Sequence, residues 1–253
     1  MPLSPTVLLL LFVAGLTGGF IDAIAGGGGL ITVPALLWAG LPPQLALGTN
    51  KMQSSFGTLL AVWRYGRAGL VSVSEVWLAA AVTFVFATLG AWTVTMVSND
   101  ALKKIVPWLL LIIALYALLS PGFGLHRGTA KMSAVSFACV FGVLIGFYDG
   151  FFGPGTGSFW TIALLTLLGA ELTRATAYTK VVNLMSNVAS VFIFAFKGCI
   201  VFPVAGAMIL GQLIGARLGS GMVLKHGAKF VRIVFMSVVF AMVIKLLYDQ
   251  WAK

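Results

Sequence analysis

One unusual element occurs twice in this chain, about half a length apart, and it constrains the fold more than any other feature. An apolar run meets an aspartate, breaks in glycines, resumes briefly and then reaches a lysine. The first copy reads Gly19-Phe20-Ile21-Asp22-Ala23-Ile24-Ala25-Gly26-Gly27-Gly28-Gly29, followed by Gly48-Thr49-Asn50-Lys51. The second reads Gly146-Phe147-Tyr148-Asp149-Gly150-Phe151-Phe152-Gly153-Pro154-Gly155-Thr156-Gly157, followed by Ala177-Tyr178-Thr179-Lys180. Glycine-interrupted hydrophobic segments at matching points of two halves point to the binding site of a secondary transporter.

The 253 residues are 60% hydrophobic and only 9% charged, against about 25% charged in ordinary soluble domains. Such a chain cannot clothe itself in a water-facing surface. Several apolar stretches approach or exceed the roughly 20 residues that cross a bilayer as a helix. These runs are continuous, whereas the strands of a membrane barrel alternate. The fold class is therefore all-α, a polytopic helical membrane protein, with the lipid bilayer as a partner. The net charge of +10 comes from basic residues scattered between apolar runs. That pattern suits cytoplasmic loops, and without a basic patch carrying aromatics it argues against nucleic acid.

Cys139 and Cys199 lie within or beside apolar runs, with no CxxC spacing, and read as small core residues rather than a disulfide or metal site. His126 and His226 read as solvated loop residues. The N-terminal apolar run ends near Ala23-Ile24-Ala25, like a signal-peptide cleavage site, but no Lys or Arg precedes it and Asp22 adjoins it. The second half carries its equivalent, so this segment is expected to be a retained helix.

Residues 1–122 form the first expected repeat, 123–131 a linker and 132–253 the second. In the first, a helix over 6–24 breaks at the glycines, a short segment covers 30–39, and a lysine-bearing helix runs over 44–65. Plain spans follow over 74–97 and 101–119, closed by Ser120-Pro121-Gly122 and Gly124. The second half repeats the order over 132–152, 159–168, 172–196, 203–224 and 228–248. An odd number of crossings per half inverts one repeat against the other. Arg64, Arg67, Arg127, Lys131, Lys225, Lys229 and Arg232 then share the cytoplasmic side, and Lys103, Lys104, Lys197, Lys245 and Lys253 the other. This division is more uneven than a parallel arrangement gives, so inversion is favoured.

In hydrocarbon, non-helical backbone survives only inside protein or against a water-filled cavity. Gly26, Gly27, Gly28 and Gly29, with Gly153, Gly155, Thr156 and Gly157, form two such stretches. A helix starting after each points N–H groups and a positive dipole end into the gap, which suits an anion. The competing reading is a tight contact of small residues between helices. Lys51 and Lys180 are natural partners for the anion, although each is also long enough to snorkel to an interface. Thr49, Asn50, Thr179 and Asn183 stand beside them, with Gln53 and Ser54 within a turn. Asp22 and Asp149 are the two carboxylates inside apolar stretches. They read either as proton-coupling groups or as structural partners of the loop N–H groups or of Lys51 and Lys180. Arg217 reads as a snorkelling or packing residue.

The run from Gly19 through Gly29, continuing Leu30-Ile31-Thr32-Val33-Pro34 and then Gly48-Thr49-Asn50-Lys51, resembles the TauE/SafE family of sulfite exporters and related permeases, in its YfcA-like branch. The resemblance covers essentially the whole chain. It implies movement of sulfite, thiosulfate or a small organosulfonate across the inner membrane. The first break lacks the Pro and Thr of the second, so the two half-sites differ chemically. The expected function is a secondary transporter of a small anion working by alternating access, with a passive anion channel as the alternative. The sequence has no Walker motif, nucleophile–base pair or metal-ligand cluster, so no enzyme activity and no cofactor is expected. A homo-oligomer is left open.

Overall fold

A computed structural model describes residues 4–119 and 129–251. The described residues are helical throughout, and the element order of the first half recurs in the second. The first half comprises α1 (Pro5–Ala25), α2 (Gly29–Trp38), α3 (Pro43–Arg67), α4 (Val73–Met96) and α5 (Asn99–Leu119). The second comprises α6 (Ala134–Phe151), α7 (Thr156–Leu167), α8 (Leu172–Phe196) and α9 (Phe202–Trp251). A non-helical glycine, Gly227 at φ 64° and ψ −154°, divides α9. The break at Gly227 falls between the two plain spans expected at 203–224 and 228–248. The Ser120-Pro121-Gly122 stop, Gly124, His126, Arg127, Lys253 and most of the 123–131 linker lie outside the described residues.

Local chemistry sets the helix starts. The Ser4 hydroxyl accepts from Val7 N–H ahead of Pro5, and the Ser133 hydroxyl accepts from Ser136 N–H. The Glu171 carboxylate accepts from the N–H groups of Thr173 and Arg174. Each supplies a partner for a backbone donor that a helix terminus leaves bare. Among the described residues, five helices are long and apolar enough to cross a membrane: α1, α4, α6, α8 and the Phe202–Gly227 part of α9. The 25-residue α3 falls outside that set. Its buried face carries Thr49, Asn50, Lys51, Gln53 and Thr58, a polar stripe that only a protein interior accommodates.

The two halves are interleaved. The broken helix of each packs along a plain span of the other, α1 against α9 and α6 against α4. Glycines spaced four apart make these contacts close. A Cβ on Gly211, Gly215 or Gly219 would run into the backbone oxygens of Phe12, Leu16 or Phe20. On the other side, Gly142, Gly146 and Gly150 lie against Val82, Thr83 and Ala87. Small residues let helix backbones approach where lipid offers no hydrophobic drive for helices to associate.

Helices α3 and α8 run antiparallel through the centre. Tyr65, near the end of α3, shares an apolar cluster with Leu172 at the start of α8. Gly48, near the start of α3, abuts Phe194 and Cys199 at the far end of α8. Two expectations need correction. Cys139 is exposed and Cys199 only partly buried, so neither is a core residue. Arg217 is exposed, as the snorkelling reading expects, and His226 is exposed too, though it lies within α9 and not in a loop.

Candidate functional site

The glycine breaks meet each other. Gly26 ends α1 in the left-handed region, φ 74°, and its N–H donates to the Asp22 carbonyl at 2.9 Å. A Cβ at Gly26 would lie 2.5 Å from Gly157 Cα, and Gly29 faces Pro154 across the same gap. Glycine is required here twice over, for the backbone conformation and for the approach.

At this crossing the acidic and basic residues pair between halves. Lys51 Nζ of α3 donates to Asp149 Oδ1 of α6 at 2.5 Å. Lys180 Nζ of α8 donates to Asp22 Oδ2 of α1 at 3.1 Å. All four side chains are buried, Lys180 completely so. A buried pair of this kind contributes little net stability over an apolar pair, but removing one partner strands a charge and costs about 3–5 kcal/mol. The halves are therefore tied by two reciprocal ion pairs.

Between the pairs lies a polar cavity of about 20 Å³. This is room for about one ordered water, and too little for a polyatomic anion. The sequence-derived candidates Gly26, Gly29, Asn50, Lys51 and Asp22 line it from the first half. Asp149, Gly153, Thr156, Gly157 and Asn183 line it from the second, and Ser54 and Asn187 complete it. Asn187 was missed by the sequence reading. Its signal is the spacing Lys180, Asn183, Asn187, one polar face of α8, matched in α3 by Lys51, Ser54 and Thr58. Asn187 Nδ2 reaches the Thr58 hydroxyl at 3.5 Å and joins the two helices. Among the described residues Asp149 Oδ2 and Asn183 Oδ1 have no hydrogen-bond partner and are buried, and a water or ligand in the cavity would supply the missing donors.

The remaining candidates lie outside the cavity and hold its walls. The Thr49 hydroxyl accepts from Val201 N–H at 3.0 Å, fixing α3 to the start of α9. Gly28 sits against the Gly18 carbonyl and Asp22 Cβ, where a side chain would push α1 away. Gly27 is in the turn between α1 and α2, and Gly155 caps α7 at φ 83°. Lys180 is screened from the cavity by Asp22. Thr179 contacts the Thr161 hydroxyl at 3.2 Å, and Thr161 also donates to the Gly157 carbonyl at 2.8 Å. In the first half, Thr32 Oγ1 lies 3.1 Å from the Gly28 carbonyl and 2.5 Å from Asn50 Oδ1. Each short helix thus grips the residue preceding the lysine. Thr32 and Thr161 were also missed, although each lies four residues after a glycine of the break and nineteen before the lysine (51 − 32 and 180 − 161).

Two apolar layers flank the site. On the Arg64 side Tyr65 packs with Leu172, Ala177 and Val223, and its hydroxyl donates to the Ala23 carbonyl at 2.8 Å. On the Lys197 side Phe194 packs with Leu47, Val94 and Ile200.

The sulfite exporter TauE/SafE family model matches residues 11–246. The chain belongs to the TauE/SafE family. It is 43% identical over 247 residues to the probable membrane transporter protein YfcA of Escherichia coli K12, covering 98% of this chain and 92% of that one. A probable membrane transporter protein of Haemophilus influenzae is 41% identical over 250 residues, covering 99% of this chain and 98% of its own. A third, the probable membrane transporter protein ORF9 of a Sinorhizobium species, is 44% identical over 243 residues, with 96% and 93% covered. No solved structure matches the chain. This TauE/SafE protein is a multi-pass plasma-membrane protein that acts in membrane transport and not as an enzyme.

Proposed function

We propose that this TauE/SafE protein is a secondary transporter carrying a small anion by alternating access, the anion being sulfite, thiosulfate or an organosulfonate. The observation that carries the reading is the reciprocal pairing of Lys51 with Asp149 and of Lys180 with Asp22 around one small cavity. Each half neutralises the other's buried charge, so movement of one half against the other must break and remake these pairs. The antiparallel course of α3 and α8 supports two inverted repeats, 1–122 and 132–253, exchanging equivalent roles. The apolar layers at Tyr65 and Phe194 are then the two gates. The family description supports a sulfur oxyanion as the cargo. In the opened site Lys51 supplies the charge that holds the anion, the first turns of α2 and α7 supply N–H groups, and Asn50, Ser54, Asn183 and Asn187 supply neutral hydrogen bonds. The small volume of the cavity speaks against a standing pore.

The test is uptake of radiolabelled sulfite and thiosulfate into proteoliposomes against a concentration gradient. Concentrative uptake is expected, and flux that never exceeds equilibrium would make the protein a passive anion channel. Lys51→Met keeps most of the apolar stem and removes the charge. A charged hydrogen bond is worth about 1.5–3 kcal/mol, so binding should weaken about ten- to a hundredfold. Cysteines introduced as Gly66→Cys and Lys197→Cys should be labelled by an impermeant reagent from opposite faces, and labelling from one face would sink the inverted arrangement.

A further inference from the structure

The charges around the cavity bear on how the anion is carried, an inference that rests on the transport reading above. Lys51 and Lys180 against Asp22 and Asp149 sum to zero. The charged residues that line the cavity itself, however, are Lys51, Asp22 and Asp149, one cation and two carboxylates. The four charges already cancel one another, so a bare anion entering there adds a charge that is left uncompensated in a medium where that is costly. Among the described residues no further cation lines the cavity. Helix α4 presents Thr83, Ala87 and Gly90 to α6. The hydroxyls of Tyr65 and Tyr148 are engaged by the Ala23 and Pro154 carbonyls. From α7 and α8 the cavity receives Thr156, Gly157, Asn183 and Asn187, all neutral, and Lys180 is held behind Asp22.

We propose that the anion is carried with one proton for each negative charge it bears, up to two, so that the loaded carrier is electroneutral. The first proton goes to Asp149. That carboxylate holds the lysine that faces the cavity, and its buried Oδ2 has no partner among the described residues. A proton taken from the entry side onto Asp149 frees Lys51, which turns to the anion, with the Ser186 hydroxyl 3.5 Å from its Nζ as a resting contact. A dianion requires a second proton, on Asp22. On the exit side the anion leaves, each carboxylate that took a proton releases it (Asp149 alone for a monoanion, Asp149 and Asp22 for a dianion), and the ion pairs close again.

The test uses proteoliposomes with two permanently ionised probes, methanesulfonate as the monoanion and thiosulfate as the dianion, and protein-free liposomes as background. The membrane potential is clamped at zero with potassium and valinomycin. A gradient of one pH unit, acidic outside, should then drive about tenfold accumulation of methanesulfonate and about a hundredfold of thiosulfate. An imposed potential with equal pH should drive neither. Potential-driven accumulation at equal pH would overturn electroneutral carriage while leaving the transporter reading intact. If the wild type moves neither probe and neither raises its Tm, the transport reading falls and this inference with it. In Asp149→Asn, Lys51 is free at every pH, so methanesulfonate binding should persist at alkaline pH where the wild type loses it tenfold or more. Retention of the wild-type pH profile would remove Asp149 from the role. If that variant does not fold, the clamp experiment on the wild type decides alone.

Discussion

The two glycine breaks look alike in sequence and do different work. The first, Gly26 to Gly28, is compact. Gly26 caps α1, Gly28 lies beneath Asp22, and α2 starts at once, so this break is filled with backbone-to-backbone contact. The second is longer and shaped by side chains. Gly153 and Gly155 are both left-handed, at φ 95° and 83°, the Tyr148 hydroxyl donates to the Pro154 carbonyl at 2.7 Å, and the Thr156 hydroxyl bonds the Gly153 carbonyl. Gly153 borders the Lys51–Asp149 pair. The ion pairs divide in the same way: Lys51 reaches the cavity, and Lys180 is shut behind Asp22. Both copies of the motif line the cavity, but the first break is closed by backbone contact and the second is shaped by side chains.

Five substitutions test that contrast, the largest first. Gly26→Ala meets backbone it cannot displace and a conformation that L-residues avoid. Overpacking and backbone strain each cost about 1–3 kcal/mol, together up to about 6, so loss of folded protein in detergent is expected. Tolerance of alanine would mean the two breaks are not in contact. Asp22→Asn strands the wholly buried Lys180 and should cost about 3–5 kcal/mol in a denaturant titration, with part of the loss recovered in Asp22→Asn combined with Lys180→Met. Asp149→Asn should cost less, about 1–3 kcal/mol, since Lys51 keeps Ser186 and the cavity. Equal losses from the two aspartates would erase the distinction between the pairs. Gly153→Ala places a Cβ 3.1 Å from Lys51 Nζ at a left-handed residue. About 1–3 kcal/mol of strain is expected, and because the lysine end can move, anion affinity should fall along with stability. The control is Gly206→Ala, at a helical glycine with open space around it, where stability should hold or rise by about 0.5 kcal/mol.

The sequence reading placed most helix ends within about two residues, because prolines, capping residues and glycines act locally and leave their mark on the chain. Residues 159–168 were read too short at the start. α7 begins at Thr156, because Gly155 in the left-handed region lets the helix start directly behind it. The two spans expected at 203–224 and 228–248 meet at Gly227, whose non-helical conformation divides α9 at that point. Asp22, Asp149, Lys51 and Lys180 stood out as charges in apolar runs, and their pairing with one another was among the readings the sequence offered. Thr49 and Thr179 were placed at the site by adjacency to the lysines, yet neighbours on a helix point about 100° apart, which sends them to other partners. Asn187 was overlooked for the converse reason, being seven residues from Lys180 yet on its face.

The sequence by itself determined that this chain is helical and membrane-embedded, that its halves share one plan, and which charges must be buried. Those properties follow from hydropathy, local backbone preference and the cost of polar groups in hydrocarbon, all carried by residues close in the chain. Tertiary structure alone decided that each lysine takes the carboxylate of the opposite half and that only Lys51 faces the cavity. The partners are 98 and 158 residues apart, and their choice depends on how α3 and α8 cross between the interleaved spans. No local preference records that geometry, because packing of the whole molecule sets which buried charge comes within hydrogen-bonding distance of another.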